Sequence, residues 1–250
     1  MDKIANSIGL GLLPGQLPLI LSTTVFLTAL FNFNKYPLAL MFPEQFPKLS
    51  KTEQKEWQSY SISFLVCLFF LYCSTSMILD SRFGNDPLNY WNLFSLRATS
   101  IANGYFIWDI IFCLQNNHGL TFTMHGILGF LVTMMGFTSK LHYIGACAFM
   151  YELSTPFLNL NYFLSKSGLK GTKIHLINGL LLLSTYFFAR ILFGIYFTIS
   201  TIGFFLSSSN DMNVFFTSMG IVLLMTSLGL NTFWFCKLVA KAIPMVKGFN

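Results

Sequence analysis

Seven long apolar stretches fill this chain, and four ionisable residues lie inside them: Asp109, His125, Glu152 and Arg190. A charge at the centre of a bilayer costs about 2.5–3.5 kcal/mol on insertion scales. Such groups are therefore rare, face the interior of a helix bundle, and mark the places where a membrane protein does its work. They constrain both the architecture and the site.

The 250 residues are 54% hydrophobic and only 10% charged, with 29 phenylalanines, against about 25% charged in an ordinary soluble domain. That balance describes an all-α, polytopic membrane protein with little soluble mass. Spanning the hydrocarbon takes roughly 20 helical residues. Spans are expected at 17–34, 57–79, 94–115, 121–139, 141–164, 174–205 and 213–240. The start, MDKIANSIGLGLLPGQLPLI, is broken by Gly11, Pro14, Gly15 and Pro18 and makes a poor signal peptide. It reads as a lumenal or interfacial lead-in.

The net charge of +6 belongs to loops beside the spans, which excludes a nucleic-acid reading and leaves membrane lipids as the partners. With the N-terminus lumenal, ten lysines gather on the cytosolic side, among them Lys35, Lys51, Lys166 and Lys241. Only Lys3, Arg82, Arg97 and Lys140 fall opposite. This positive-inside bias places the C-terminus in the cytosol. The five cysteines form no CxxC pair and read as buried reduced thiols.

A rise of about 1.5 Å per residue converts sequence position into depth. Asp109 then lies roughly 9 Å and His125 about 6 Å from the cytosolic ends of their spans. Asn159 and Asn178 fall at similar depths, so four helices place a polar group in one layer. Glu152 and Arg190 sit near the midplane, where neither is tolerated alone, and read as a buried pair joining spans five and six. That pair serves equally as a helix pin without chemistry. Pro156 cannot donate to the carbonyl of Glu152, so a kink is expected there.

Asp109 and His125 admit two readings. Each is either hydrogen-bonded to a neighbouring helix, or part of a polar site reached from the cytosolic leaflet. In the second, the carboxylate orients the imidazole and raises its basicity. No serine or cysteine nucleophile presents itself by spacing. His118, His125, His142 and His175 make no metal site, and no cofactor is indicated.

The residues around these positions form an ordered set. Gly104-Tyr105-Phe106-Ile107-Trp108-Asp109 resembles the GYFxxD signature of TLC-domain proteins, the family of TRAM, Lag1 and CLN8. Glu152-Leu153-Ser154-Thr155-Pro156-Phe157-Leu158-Asn159 is similar to the ELSTPFxN block of the family's branch without ceramide synthases. Asn178-Gly179 with Phe187-Phe188-Ala189-Arg190-Ile191, and Leu230-Asn231-Thr232-Phe233-Trp234-Phe235-Cys236-Lys237, follow in the family's order.

The resemblance implies a TLC domain over 52–245, after a first span and loop at 1–51 and before a cytosolic tail at 246–250. Its six helices ring a lipid-accessible cavity, in the endoplasmic reticulum or a connected membrane. Ceramide synthases of the family use two adjacent histidines; His125 matches the first, but Gly126 stands at the second. The expectation is a protein of membrane lipid homeostasis, binding an acyl lipid without ceramide synthase activity. Asp109, His125, Asn159 and Asn178 would meet its polar end, and Phe130, Met134, Met135 and Phe187 its tail. The alternatives are an acyltransferase using His125 with Asp109, and a cargo receptor or biogenesis factor. The oligomeric state and the lipid's identity stay open.

Overall fold

The computed structural model describes residues 2–208 and 213–247, which contain helices and no strand. The long rods run α1 (Leu13–Phe33), α2 (Lys51–Leu79), α3 (Leu93–Gln115) and α4 (Leu120–Met135). The fifth rod is α5 (His142–Phe149), a 3-10 segment (Met150–Ser154) and α6 (Thr155–Lys166). The sixth is α7 (Lys173–Tyr186), a π-helical segment (Phe187–Leu192) and α8 (Phe193–Ser207), and α9 (Val214–Lys247) is the last.

Local chemistry sets several of these boundaries. Ser50 accepts from the Glu53 N–H while the Glu53 carboxylate accepts from the Ser50 N–H at 2.9 Å. This capping box starts α2 six residues before the expected position 57. Asn92 and Ser95 repeat the device at α3, and Gly119, at φ 94°, turns the chain into α4. The helix of α9 runs through Lys247, into the expected tail at 246–250, of which residues 248–250 lie outside the described residues.

Neighbouring rods close a ring in which α2 meets α3, α3 meets α4, and α4 meets α9. From there α9 meets the sixth rod, which meets the fifth, which returns to α2. The first rod, α1, stays outside the ring and lies along α3. Close approach explains its grip: a Cβ on Gly104 would meet the Ile20 carbonyl oxygen at 2.6 Å, and Thr24 donates to the Gly104 carbonyl at 2.9 Å. Small residues permit such backbone contact between membrane helices.

Lys55 bonds Asn116 at 3.2 Å and Lys166 pairs with Glu53 at 2.6 Å, tying the basic end of the ring across three rods. At the opposite end, the Leu141 N–H donates to the Leu88 carbonyl at 2.9 Å. Apolar side chains cover the outside, Val25 at 68% and Tyr196 at 68% exposure among them, as lipid contact requires.

Five rods are long and apolar enough to cross a membrane by length and composition: α1, α2, α4 with its 3-10 extension, the sixth rod, and α9. Of the seven expected, α3 has about 34 Å of length at 1.5 Å per residue but carries Arg97, Asn103 and Asp109. The fifth rod is broken at Met150–Ser154. The protein is thus an all-α polytopic membrane protein, with α3 and the fifth rod identified by their places in the ring.

Candidate functional site

Arg190 is 5% exposed and sits in the π-helical segment of the sixth rod. A π turn widens the helix by one residue and frees backbone groups, and such turns gather at functional positions. The guanidinium Nε donates to the Tyr151 carbonyl at 2.9 Å and the Ser154 hydroxyl at 3.0 Å. Nη2 donates to Thr155 Oγ1 at 2.9 Å and Nη1 to Asn231 Oδ1 at 3.2 Å. The Tyr186 ring lies 5.2 Å below, and its hydroxyl donates to the Asn231 carbonyl at 3.2 Å. Groups from three rods therefore converge on one cation, which satisfies the demand that a buried charge be hydrogen-bonded.

Glu152 is only loosely joined to it, at 3.7 Å. The Thr155 hydroxyl donates to Glu152 at 2.5 Å and bridges the two. Pro156 follows at the start of α6, so the chain reaches it through the 3-10 turn. The expected free carbonyl of Glu152 is taken by the Thr155 N–H. The carbonyl offered to Arg190 is that of Tyr151 instead, because tighter 3-10 bonding shifts each acceptor by one residue.

Within the ring, a basic-side and a far-side cavity adjoin, and among the described residues His125, Glu152 and Arg190 line both. The basic-side cavity, about 370 Å³, runs from Lys237 and Lys241 past His118, Asp109 and Asn159 to this shared polar layer. Val66, Phe70, Phe112 and Leu158 supply its apolar walls. The far-side cavity, about 130 Å³, is mostly apolar, walled by residues such as Leu128, Val132, Phe205 and Leu223.

The structure brings Asp109, His125 and Asn159 to one cavity but leaves Asn178 out of it. Asn178 donates to the Phe157 carbonyl at 3.0 Å and joins α7 to α6. Its amide is spent on packing because the depth estimate fixes height, not rotation about the helix axis. Asn159, 1% exposed, donates to Ser63 at 3.3 Å.

Asp109 and His125 make no hydrogen bond to each other or to any described residue, so the expected orientation of the imidazole by Asp109 is not met. Both face the cavity. His125 instead packs between aromatic rings, Trp234 at 5.6 Å and Phe106 at 6.1 Å. Asp109 is turned toward Gly126, where an added Cβ would stand 3.1 Å from its Oδ2 and 2.9 Å from Ile110. Of the expected tail-lining residues only Met135 lines a cavity, the far-side one. Phe130 packs against a core cluster, Met134 against another near Phe137, and Phe187 against Phe235.

Ser154, Thr155, Tyr186 and Asn231 complete the polar layer and were not singled out by sequence. Three of them stand in the ordered blocks beside the charged residues, and that adjacency was the available signal. Among the described residues no group of three or more His, Cys, Asp or Glu could hold a metal ion.

Residues 56–240 match the TLC domain family of TRAM, LAG1 and CLN8. The chain is 27% identical over 244 residues to an uncharacterised TLC domain-containing protein of Schizosaccharomyces pombe, covering 96% of this chain and 83% of the relative. It is 32% identical over 117 residues to the topoisomerase I damage affected protein 4 of Saccharomyces cerevisiae, 44% of this chain and 42% of that one. Against TLC domain-containing protein 4-B of Xenopus laevis it is 26% identical over 170 residues, covering 65% and 64%. The ring of rods, its ionisable interior and the match over most of the chain agree: this membrane protein belongs to the TLC domain family.

Proposed function

We propose that this protein binds an acyl lipid in its basic-side cavity and thereby contributes to membrane lipid homeostasis. It does so in the endoplasmic reticulum or a connected endomembrane, with the basic end and C-terminus cytosolic and the N-terminus lumenal. One observation carries the reading: Asp109 and His125 line the cavity with no hydrogen bond to any described residue. Polar groups at membrane depth without protein partners call for a partner from a ligand or from water. A volume of about 370 Å³ lies within the range of about 300–1,000 Å³ typical of ligand sites.

The amphiphile's carbonyl or hydroxyl meets Asp109 and His125, while its tail lies along Val66, Phe70 and Leu158. Lys237 and Lys241, one helical turn apart at the mouth, favour an anionic headgroup. Catalysis by a histidine pair forms no part of this reading, since Gly126 supplies neither base nor acceptor.

The test is lipid extraction and mass spectrometry of the purified protein beside Asp109→Asn and His125→Ala. Wild type should carry an acyl lipid, and each variant should lose about tenfold, the worth of roughly 1.4 kcal/mol. A wild type that carries no lipid, or variants that keep theirs, would overturn the proposal.

A further inference from the structure

The basic-side cavity is polar at both ends. Lys237 and Lys241 stand at its mouth, and Glu152, Thr155, Tyr186 and Arg190 line its deep end. Asn231, which accepts from Arg190, lies on the same unbroken helix as the two lysines, six residues before Lys237 and ten before Lys241. At about 1.5 Å per residue the floor is roughly 9–15 Å below the mouth. A lipid tail that crosses this distance ends against charged side chains.

Most of the hydrogen-bonding capacity at the floor is spent. Thr155 donates to Glu152 and accepts from Arg190, and Tyr186 donates to the Asn231 carbonyl. On Glu152 these contacts use Oε2, which is also the oxygen 3.7 Å from Arg190. Oε1 has no hydrogen-bond partner among the described residues. It is not sealed off either, since the sealed, unpartnered side-chain atoms of the bundle do not include it, and the side chain keeps 14% of its surface accessible. The charge of Glu152 acts on Cys67, Tyr105 and Asp109, which all line the basic-side cavity. The carboxylate is therefore within reach of a ligand there.

A carboxylate oxygen accepts hydrogen bonds and cannot donate them. A methyl group pressed onto it would strip its water and return nothing, which is costly for a charge at membrane depth. A hydroxyl would replace that water with a charge-assisted bond. We infer that the acyl lipid proposed for this cavity, on whose binding this step rests, carries a hydroxyl far down its chain that donates to Glu152. The class is an acyl chain hydroxylated at or near its end. Its head meets the lysines and its methylenes lie along Val66, Phe70 and Leu158.

Three acids test this on the delipidated full chain. They are 12-hydroxydodecanoic acid, tridecanoic acid, which puts a methyl in place of the hydroxyl, and 12-methoxydodecanoic acid, which accepts but cannot donate. Native mass spectrometry gives the dissociation constants, referred to free acid in water after partition into detergent is measured separately. The hydroxy acid should bind about fivefold tighter than tridecanoic acid, the worth of a bond to a charged acceptor less the burial of the methyl it replaces. The methoxy acid should show no such gain.

Glu152→Met removes the acceptor and leaves Arg190 its bonds to Tyr151, Ser154 and Asn231. It should reverse the order in favour of tridecanoic acid. Asp109→Asn should weaken both acids alike and leave their ratio unchanged. Equal or tighter binding of tridecanoic acid to wild type would overturn the hydroxylated chain while the basic-side site stands. So would a methoxy acid as tight as the hydroxy acid, or a preference that survives Glu152→Met. Binding by none of the three acids would overturn both the hydroxylated chain and the site. Should Glu152→Met fail to fold, the comparison of hydroxy with methoxy acid in wild type decides.

Discussion

Glu152 and Arg190 stand 3.7 Å apart at the centre of the bundle, and the Thr155 hydroxyl between them bonds both, at 2.5 and 2.9 Å. The pair is thus a relay through a neutral group. Arg190 draws its remaining bonds from Tyr151, Ser154 and Asn231. Removing each member should therefore cost different amounts. Arg190→Leu leaves Glu152, Ser154 and Asn231 without their cation and should destabilise by about 3–5 kcal/mol. Thr155→Val strips one bond from each charge and should cost about 1–3 kcal/mol.

Glu152→Gln keeps the Thr155 contact and should cost about 1 kcal/mol. Thermal unfolding in detergent, followed by loss of the monodisperse peak, gives the order. A Glu152→Gln variant as unstable as Arg190→Leu would show that direct charge attraction dominates.

Gly126 and Gly129 face α3 from one side of α4. A Cβ on Gly126 would stand 2.9 Å from Ile110, and one on Gly129 would enter the Phe106 ring. Gly129→Ala should cost about 1–3 kcal/mol by overpacking, whereas Gly145→Ala, with open space around it, should be within about 0.5 kcal/mol of wild type. Gly126→His, which supplies the missing second histidine, should destabilise and should not confer ceramide formation from acyl-CoA and sphingoid base. Its appearance of turnover would mean that α3 yields where the structure leaves no room.

Much of this architecture was legible from hydropathy, because length and apolarity report the membrane directly. The expected 94–115 span became α3 (Leu93–Gln115) with its start off by one residue, since Asn92 and Ser95 cap it. Other features were hidden. Hydropathy says nothing of the π turn that carries Arg190 or the 3-10 turn before Pro156, since both depend on hydrogen-bond register. The site divided along the same line. Depth along a helix can be counted from sequence, and Asp109, His125 and Asn159 do share a cavity. Depth does not fix rotation about the helix axis, which is why Asn178, in the unbroken α7, was misplaced and Asn231, in the unbroken α9, was overlooked.

The two asparagines make that distinction measurable. Asn178 bonds a backbone carbonyl outside both cavities, while Asn159 bonds Ser63 and lines the basic-side cavity. Asn178→Ala should cost about 1 kcal/mol of stability and leave copurifying lipid unchanged. Asn159→Ala should lower both stability and lipid content. Mass spectrometry beside thermal unfolding reads the two effects separately, and lipid loss in Asn178→Ala would move the binding site toward α7.

At the mouth of the basic-side cavity, Lys237 and Lys241 lie four residues apart on α9 and are exposed. Lys237 already rests its ammonium 4.3 Å from the Phe233 ring. Exposed charges act over a distance set by salt, with a screening length of about 8 Å at physiological ionic strength. Lys237→Glu with Lys241→Glu should therefore leave folding intact, since neither lysine bonds the core. The same change should reduce recovery of an anionic lipid from mixed vesicles at low salt, with about 1 kcal/mol lost per reversed lysine. Raising the salt should shrink the difference between variant and wild type. A deficit of equal size at high and low salt would mean that the lysines act by shape, and the mouth would lose its role in choosing headgroups by charge.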